Sequence, residues 1–158
     1  MAMAREVQRG RGPRADGRSA PSDDGETYVV EPRAPGPSER LQAALQEFQD
    51  RVDGVRGIAI ADKSGLPVAT SFASKANVLT VTAMSTMAVQ SSRRVFENLA
   101  LAGPQEVVMV GPDSIVFVSS MEEGQLSVIV VLEMFANLGL VRIEVERVSQ
   151  NVSEILGL

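Results

Sequence analysis

The segment 77–92 contains no charged residue, although 22% of the chain is charged. Placed on a helical wheel, its apolar and small side chains point in every direction: Val78, Leu79, Val81, Ala83, Met84, Met87, Ala88 and Val89. A helix with one face in water carries polar residues along that face. The segment therefore predicts a helix over residues 76–101 that is covered on both faces.

Apolar spacing predicts two further helices. The first starts near Ser38, a favourable N-cap residue, and ends at Gly54. The last begins at Asn137 and carries valines at alternating steps of four and three, a stripe that buries one face against a sheet.

Five short runs rich in β-branched residues lie between these helices, at 55–62, 66–71, 106–110, 114–120 and 126–132. Short loops containing glycine separate paired runs, which is typical of antiparallel neighbours. Pro67 has no N–H to donate, so its strand belongs at a sheet edge. The order predicts an α+β fold, a five-stranded antiparallel sheet flanked by three helices in two or three layers.

Residues 1–37 are rich in Gly, Pro, Ser, Arg and Asp, and such a segment buries too little to offset its ordering entropy. We predict a disordered tail, with a short docking strand at 27–31, followed by one domain over 38–158. The basic run 9–14 suggests RNA or a membrane surface as an alternative to a solvated tail. The net charge of −5 argues against duplex nucleic acid as the main partner.

The usual catalytic groups are missing. The chain has no His and no Cys, and no Gly-x-x-x-x-Gly-Lys loop to hold phosphates. Glu122 and Glu123 fit a solvated turn better than a metal site, and Ser64 fits a turn better than a nucleophile. The sequence predicts a protein that is not an enzyme and uses no cofactor. Since no signal-peptide core or membrane-length apolar run is present, it also predicts a cytoplasmic location.

Three segments together resemble the roadblock/LC7 domain family, over residues 41–158. They are Val55-Arg56-Gly57-Ile58-Ala59-Ile60-Ala61-Asp62 continuing through Ser64-Gly65-Leu66-Pro67-Val68-Ala69, the uncharged helix, and Asn137-Leu138-Gly139-Leu140-Val141-Arg142. The last most resembles the bacterial polarity-controlling members of the family, which act on a small GTPase.

The resemblance implies a homodimer, or a heterodimer with another roadblock protein, in which the second helix and third strand meet the partner. The uncharged helix independently predicts that another surface covers its second side. The strand 106–110 has no Lys, Pro or bulge that would protect an exposed sheet edge from pairing with a further strand. The expected interface residues are Val78, Val81, Ser85, Ala88, Ser92, Val107 and Met109.

The resemblance further implies a non-catalytic regulator of a Ras-like small GTPase. Arg93 and Arg94, at the charged end of the second helix, are the candidate contacts, with an ordinary solvated helix end as the alternative. Two other functions remain open: a scaffold subunit that tethers a larger complex without changing GTPase rates, and a small-molecule sensor. The absence of Trp and the presence of one Tyr and five Phe count against a stacked cofactor in a sensor.

Overall fold

A computed structural model describes Gly25 and residues 32–158. The chain divides into two units at Arg33, and the fold below is that of the second, Ala34–Leu158. Most of the predicted tail, including the proposed docking strand at 27–31, lies outside the described residues.

The order of elements confirms the predicted one: helix, hairpin, helix, three-stranded meander, helix. The elements are α1 (Pro37–Arg51), β1 (Val55–Asp62), β2 (Pro67–Phe72), α2 (Val78–Asn98), β3 (Glu106–Val110), β4 (Ser114–Met121), β5 (Leu126–Glu133) and α3 (Leu138–Leu156). A short turn with left-handed backbone, Glu122–Gly124, joins β4 to β5.

The five strands form one antiparallel sheet in the order β2-β1-β5-β4-β3. Strands β2 and β3 are therefore its two edges. Pro67 is the first residue of edge strand β2, where a missing N–H costs no ladder bond, and this confirms the position predicted from that proline.

The main core lies on the sheet face that α1 and α3 cover. Leu45 and Phe48 of α1 and Val141 and Val152 of α3 are almost completely buried there. They meet the sheet residues that alternate toward this face, among them Ile60. The valine stripe predicted for the last helix is thus buried against the sheet.

Among the described residues, α2 alone covers the other face, which gives a sandwich of three layers. The residues of α2 buried in the chain are Thr82, Ser85, Thr86 and Val89. Only a small apolar cluster joins the helix to the sheet, made of Ala61, Val89, Val118 and Ile129. Short side chains on both sides let the helix backbone come close to the strands.

Gly65 in the β1–β2 turn shows how close this approach is. Its φ of +85° suits glycine, and a Cβ there would lie 2.8 Å from the Cα of Ala83 in α2. The hairpin turn therefore contacts the helix backbone directly.

Asparagine side chains cap two of the helices. Asn77 accepts a hydrogen bond from the Thr80 N–H (3.2 Å), and Asn137 accepts one from the Leu140 N–H (3.1 Å). The predicted cap at Ser38 is wrong: Gly36 is the N-cap of α1, and Pro37 takes the first helical position, where proline's fixed φ is favourable. Helix α1 also ends at Arg51, before Gly54.

Replacing Gly57 by alanine is expected to destabilise the fold. A Cβ at this position of β1 would lie 2.6 Å from Cγ of the Phe72 ring on β2 and nearer still to its Cδ1, so the whole ring must move. We expect a loss of about 1–3 kcal/mol in the free energy of unfolding, measured by urea denaturation. Gly103→Ala, in the loop between α2 and β3, is the matched control, because the nearest atom to a Cβ there is the Arg93 Cγ at 3.4 Å, an ordinary contact distance. Equal stability of the two variants would contradict this packing.

The β1–β2 turn should make stability depend on pH. The Asp62 carboxylate accepts hydrogen bonds from the Ser64 hydroxyl (2.5 Å), the Ser64 N–H (2.8 Å) and the Leu66 N–H (3.1 Å). The Ser64 hydroxyl contributes most, and together they hold the pKa of Asp62 below its ordinary value. Because the folded-state pKa is the lower one, this stabilisation is present above the unfolded pKa of about 4 and is lost as pH falls through the folded value.

We therefore expect Asp62→Asn to be less stable than the wild type at pH 7 and to approach it as pH falls toward 3. Urea denaturation across that range measures the difference. A difference that stays constant from pH 7 to 3 would show that the charge of Asp62 contributes nothing.

Candidate interaction surface

The outward side of α2 is apolar and exposed. Met84 and Met87 are 59% and 56% exposed, and Val95, two turns further along, is exposed as well. The small polar residues Thr80 and Ser91 are also exposed, and no charged side chain occurs on the helix before Arg93. Among the described residues the helix is therefore covered on one side only, and the cover predicted for its second side stays a prediction.

The predicted interface residues lie where α2 approaches the β3 edge. Val81 and Val107 are half-buried and pack against the small α2–sheet cluster. Met109 on β3 is 37% exposed. Three more of the predicted interface residues, Val78, Ala88 and Ser92, are also half-buried. Ser85 differs, because it is 4% exposed and lies against its own sheet, with little surface left for a partner.

The structure places the long side chains of Met84 and Met87 in solvent. An uncharged helix gives no sign of which side faces its own sheet. The buried positions Thr82, Ser85 and Thr86 have short side chains that permit close approach, but Thr80 and Ser91 are equally short and face outward, so side-chain size alone does not mark the outer side. Flexible, polarisable methionine suits a surface that adapts to a partner.

The two edges of the sheet differ in how well they are protected from pairing with a further strand. On β2, Gln42 of α1 donates a hydrogen bond to the Thr70 carbonyl oxygen (3.2 Å), and Gln49 pairs with the Ser71 hydroxyl (2.7 Å). With Pro67 at its start, this edge is poorly suited to accept another strand.

The β3 edge is open by comparison. The strand pairs with β4 in unbroken register from Glu106 to Val110, and no bulge twists it away. Val110 is exposed, and no described strand pairs with the outer side of β3. Unpaired edges of this kind are sites of strand addition.

Arg142 of α3 fixes the start of the β3 edge, a role that the sequence did not reveal. Its guanidinium binds the Glu106 carboxylate through Nε (2.8 Å) and Nη2 (2.6 Å) and lies 5.9 Å from the centre of the Phe117 ring. Hydrogen bonding to Glu106 raises the pKa of Arg142. A cleft of about 650 Å³ opens beside the pair, between α3, β4 and the β4–β5 turn.

The two predicted contact arginines have different surroundings. Arg94 is exposed. Arg93 is half-buried, with its Cγ 3.4 Å from the Cβ position of Gly103 and its Nη2 2.8 Å from that of Gly124. Among the described residues, no carboxylate forms an ion pair with either arginine.

The acidic turn opposite Arg93 has an uncommon backbone. Glu122, Glu123 and Gly124 have φ values of 48°, 54° and 88° in succession, all in the left-handed region. The Ser153 hydroxyl of α3 donates a hydrogen bond to Glu122 (2.5 Å). In the part of the chain that the structure describes, no three carboxylates converge as a metal site would require.

None of the helices in the described ranges combines the length and the hydropathy needed to cross a bilayer.

A family model, the Roadblock/LC7 domain, matches residues 41–133, which contain the whole sheet and helix α2. The chain belongs to the Roadblock/LC7 domain family. The resemblance inferred from the sequence motifs is thereby confirmed.

One curated relative, uncharacterized protein MJ0714 of Methanocaldococcus jannaschii, is 27% identical over 103 residues, covering 65% of this chain and 86% of the relative. Among solved structures, one described as MglB with tetrameric arrangement superposes with a TM-score of 0.70 at 22% identity, covering 80% of this chain and 96% of that one. The gliding protein MglB of Thermus thermophilus gives 0.67 at 23% identity, with 80% and 97% covered. At these identities the solved structures establish the shared fold.

Proposed function

We propose that this protein is a dimeric, non-catalytic regulator of a Ras-like small GTPase. The observation that carries the proposal is an apolar face of α2 that stays in solvent and continues to the unpaired edge of β3. Membership of the Roadblock/LC7 family supports it, as does the likeness in fold to MglB. A scaffold of the same family would present the same surfaces, so the measurement of rates decides between the two functions.

Dimerisation is the first step of the proposal. Two β3 edges pairing about a twofold axis would join two sheets into one and satisfy the outer backbone groups of both strands. The same arrangement brings together Met84, Met87 and Met109 of the two copies, and burial of their exposed area stabilises the pair at roughly 25 cal/mol per Å². Val81, Ala88, Ser92 and Val107 would line the contact, with Val78 at its border.

Contact with the GTPase is the second step. The outer side of a dimer's paired helices would present Arg94 at each end to solvent, while Arg93 lies further in. Arginines suit recognition of acidic surfaces and phosphates because the guanidinium donates several hydrogen bonds in a fixed geometry. This chain has no His, no Cys and no phosphate-binding loop, so it changes the rate through the partner's own catalytic site, by reshaping the partner's catalytic loops or by supplying an arginine to the phosphate.

Met109→Lys should convert the dimer to a monomer. The substitution places a charge on the β3 edge, where pairing would bury it without a partner. Light scattering and sedimentation equilibrium measure the mass, and we expect a loss of self-affinity of at least about tenfold. Val68→Lys is the matched control, since Val68 is 42% exposed on the opposite edge strand, β2. Dissociation by Val68→Lys alone, or a monomeric wild type, would overturn this dimer.

Arg94→Ala should weaken binding to the GTP form of the cognate GTPase by about threefold to thirtyfold, since one charge-assisted contact is lost. Binding to nucleotide-loaded small GTPases from the source cell, followed by single-turnover hydrolysis and nucleotide-release assays, tests this contact and the function together. Arg40→Ala on exposed α1 controls for the lost charge. Tight binding with unchanged hydrolysis and release would establish the scaffold instead of the regulator.

A further inference from the structure

Strand β3 carries one charged residue, Glu106, at its first position. A charge on an edge strand ordinarily protects that edge, because a second strand pairing there would bring the charge into an apolar contact. Among the described residues nothing else protects the outer side of β3, which has neither a bulge nor a further strand. The ability of this edge to accept a second strand therefore depends on one carboxylate.

Symmetry determines what Glu106 would meet. Two β3 strands that pair antiparallel about a twofold axis place residues of the same sheet face opposite each other. The register centred on Val108 is the one symmetric register that pairs all five residues of each strand, and it puts Glu106 opposite Val110 of the partner subunit. Val110 is 66% exposed in the single chain. A carboxylate without a cation, facing a valine that pairing buries, would oppose association.

Arg142 of α3 supplies that cation. Three hydrogen bonds of 2.6–3.0 Å join its guanidinium to both oxygens of the Glu106 carboxylate. The guanidinium also lies 5.9 Å from the centre of the Phe117 ring, and Phe117 is the neighbour of Val108 on β4. The pair thus removes the net charge from the edge and holds the carboxylate toward α3.

The start of α3 fixes the direction in which Arg142 leaves the helix. Asn137 caps this end through the Leu140 N–H (3.1 Å), and Val141, the residue before the arginine, is completely buried in the main core. The segment 137–142, whose role the proposed function leaves open, therefore places a cation above the first residue of β3.

The pair matters more to association than to the fold. In the single chain its side chains are 49% and 35% exposed, and exposed ion pairs contribute little to stability. A second strand would displace water from the pair, and loss of one partner of a charge pair costs more where water is excluded.

We propose that Arg142 makes the β3 edge competent to pair with a second copy of this chain, by neutralising Glu106. Without the arginine, the same strand carries an uncompensated charge and is a protected edge. This role rests on the dimer proposed above and is independent of any effect on a GTPase.

Sedimentation equilibrium of the full chain and its variants tests this role. Arg142→Gln should weaken self-association at least about tenfold, because Glu106 is left without a cation at the pairing edge. Adding Glu106→Gln to Arg142→Gln should restore the affinity to within about threefold of the wild type, since the charge that opposes pairing is then absent.

Arg56→Gln is the matched control and should associate as the wild type does. Arg56 forms a comparably exposed pair with Glu133, through two hydrogen bonds of 2.7 Å, on strands β1 and β5 and away from the β3 edge. Thermal unfolding at a concentration where the proteins are monomeric separates association from folding, and Arg142→Gln should melt within a few degrees of Arg56→Gln.

Undiminished association of Arg142→Gln, in a dimer that Met109→Lys still dissociates, would overturn the role of Arg142 and leave the dimer standing. Failure of Glu106→Gln to restore association would also overturn it, because the loss would then come from the missing arginine and not from the unpaired charge. A monomeric wild type would remove the dimer itself, and this role with it.

Discussion

The unequal cover of the two sheet faces determines most of what this molecule can do. Two helices close one face over a large apolar core, so α1 and α3 supply the stability of the domain. Among the described residues, a single helix covers the other face through a small buried cluster, Val89 of the helix and Ala61, Val118 and Ile129 of the sheet. Because only short side chains of α2 fit between the helix and the sheet, its long side chains point away from the sheet. The second face therefore provides the exposed apolar surface.

Both faces of the sheet contribute to the proposed pairing at β3. On one face, Met84 and Met87 of α2 point outward, toward a second copy. On the other face, the Arg142–Glu106 ion pair attaches the start of the edge strand to α3. Because the apolar contact and the charge at the edge belong to different residues, substitutions can test them one at a time.

Local patterns predicted the elements to within a few residues. The bounds of β1 and β3 match their β-branched runs. The error at Ser38 has a local cause, since Pro37 is favoured at the first helical position and moves the cap to Gly36. The site was harder to predict. Ser85 was placed at the interface and lies inside, because no charge on the helix marks its outer side.

The sequence by itself determined the number and order of the elements, the edge position of β2 and the absence of His and Cys. Those properties depend on residue spacing, on the missing N–H of Pro67 and on composition, which act locally or need no structure at all. Tertiary structure decided how α2 is rotated, which side chains meet at Arg93, and that Arg142 pairs with Glu106, 36 residues earlier. Such contacts depend on how closely two backbones approach, as Gly65 approaches Ala83, and no local periodicity encodes that distance.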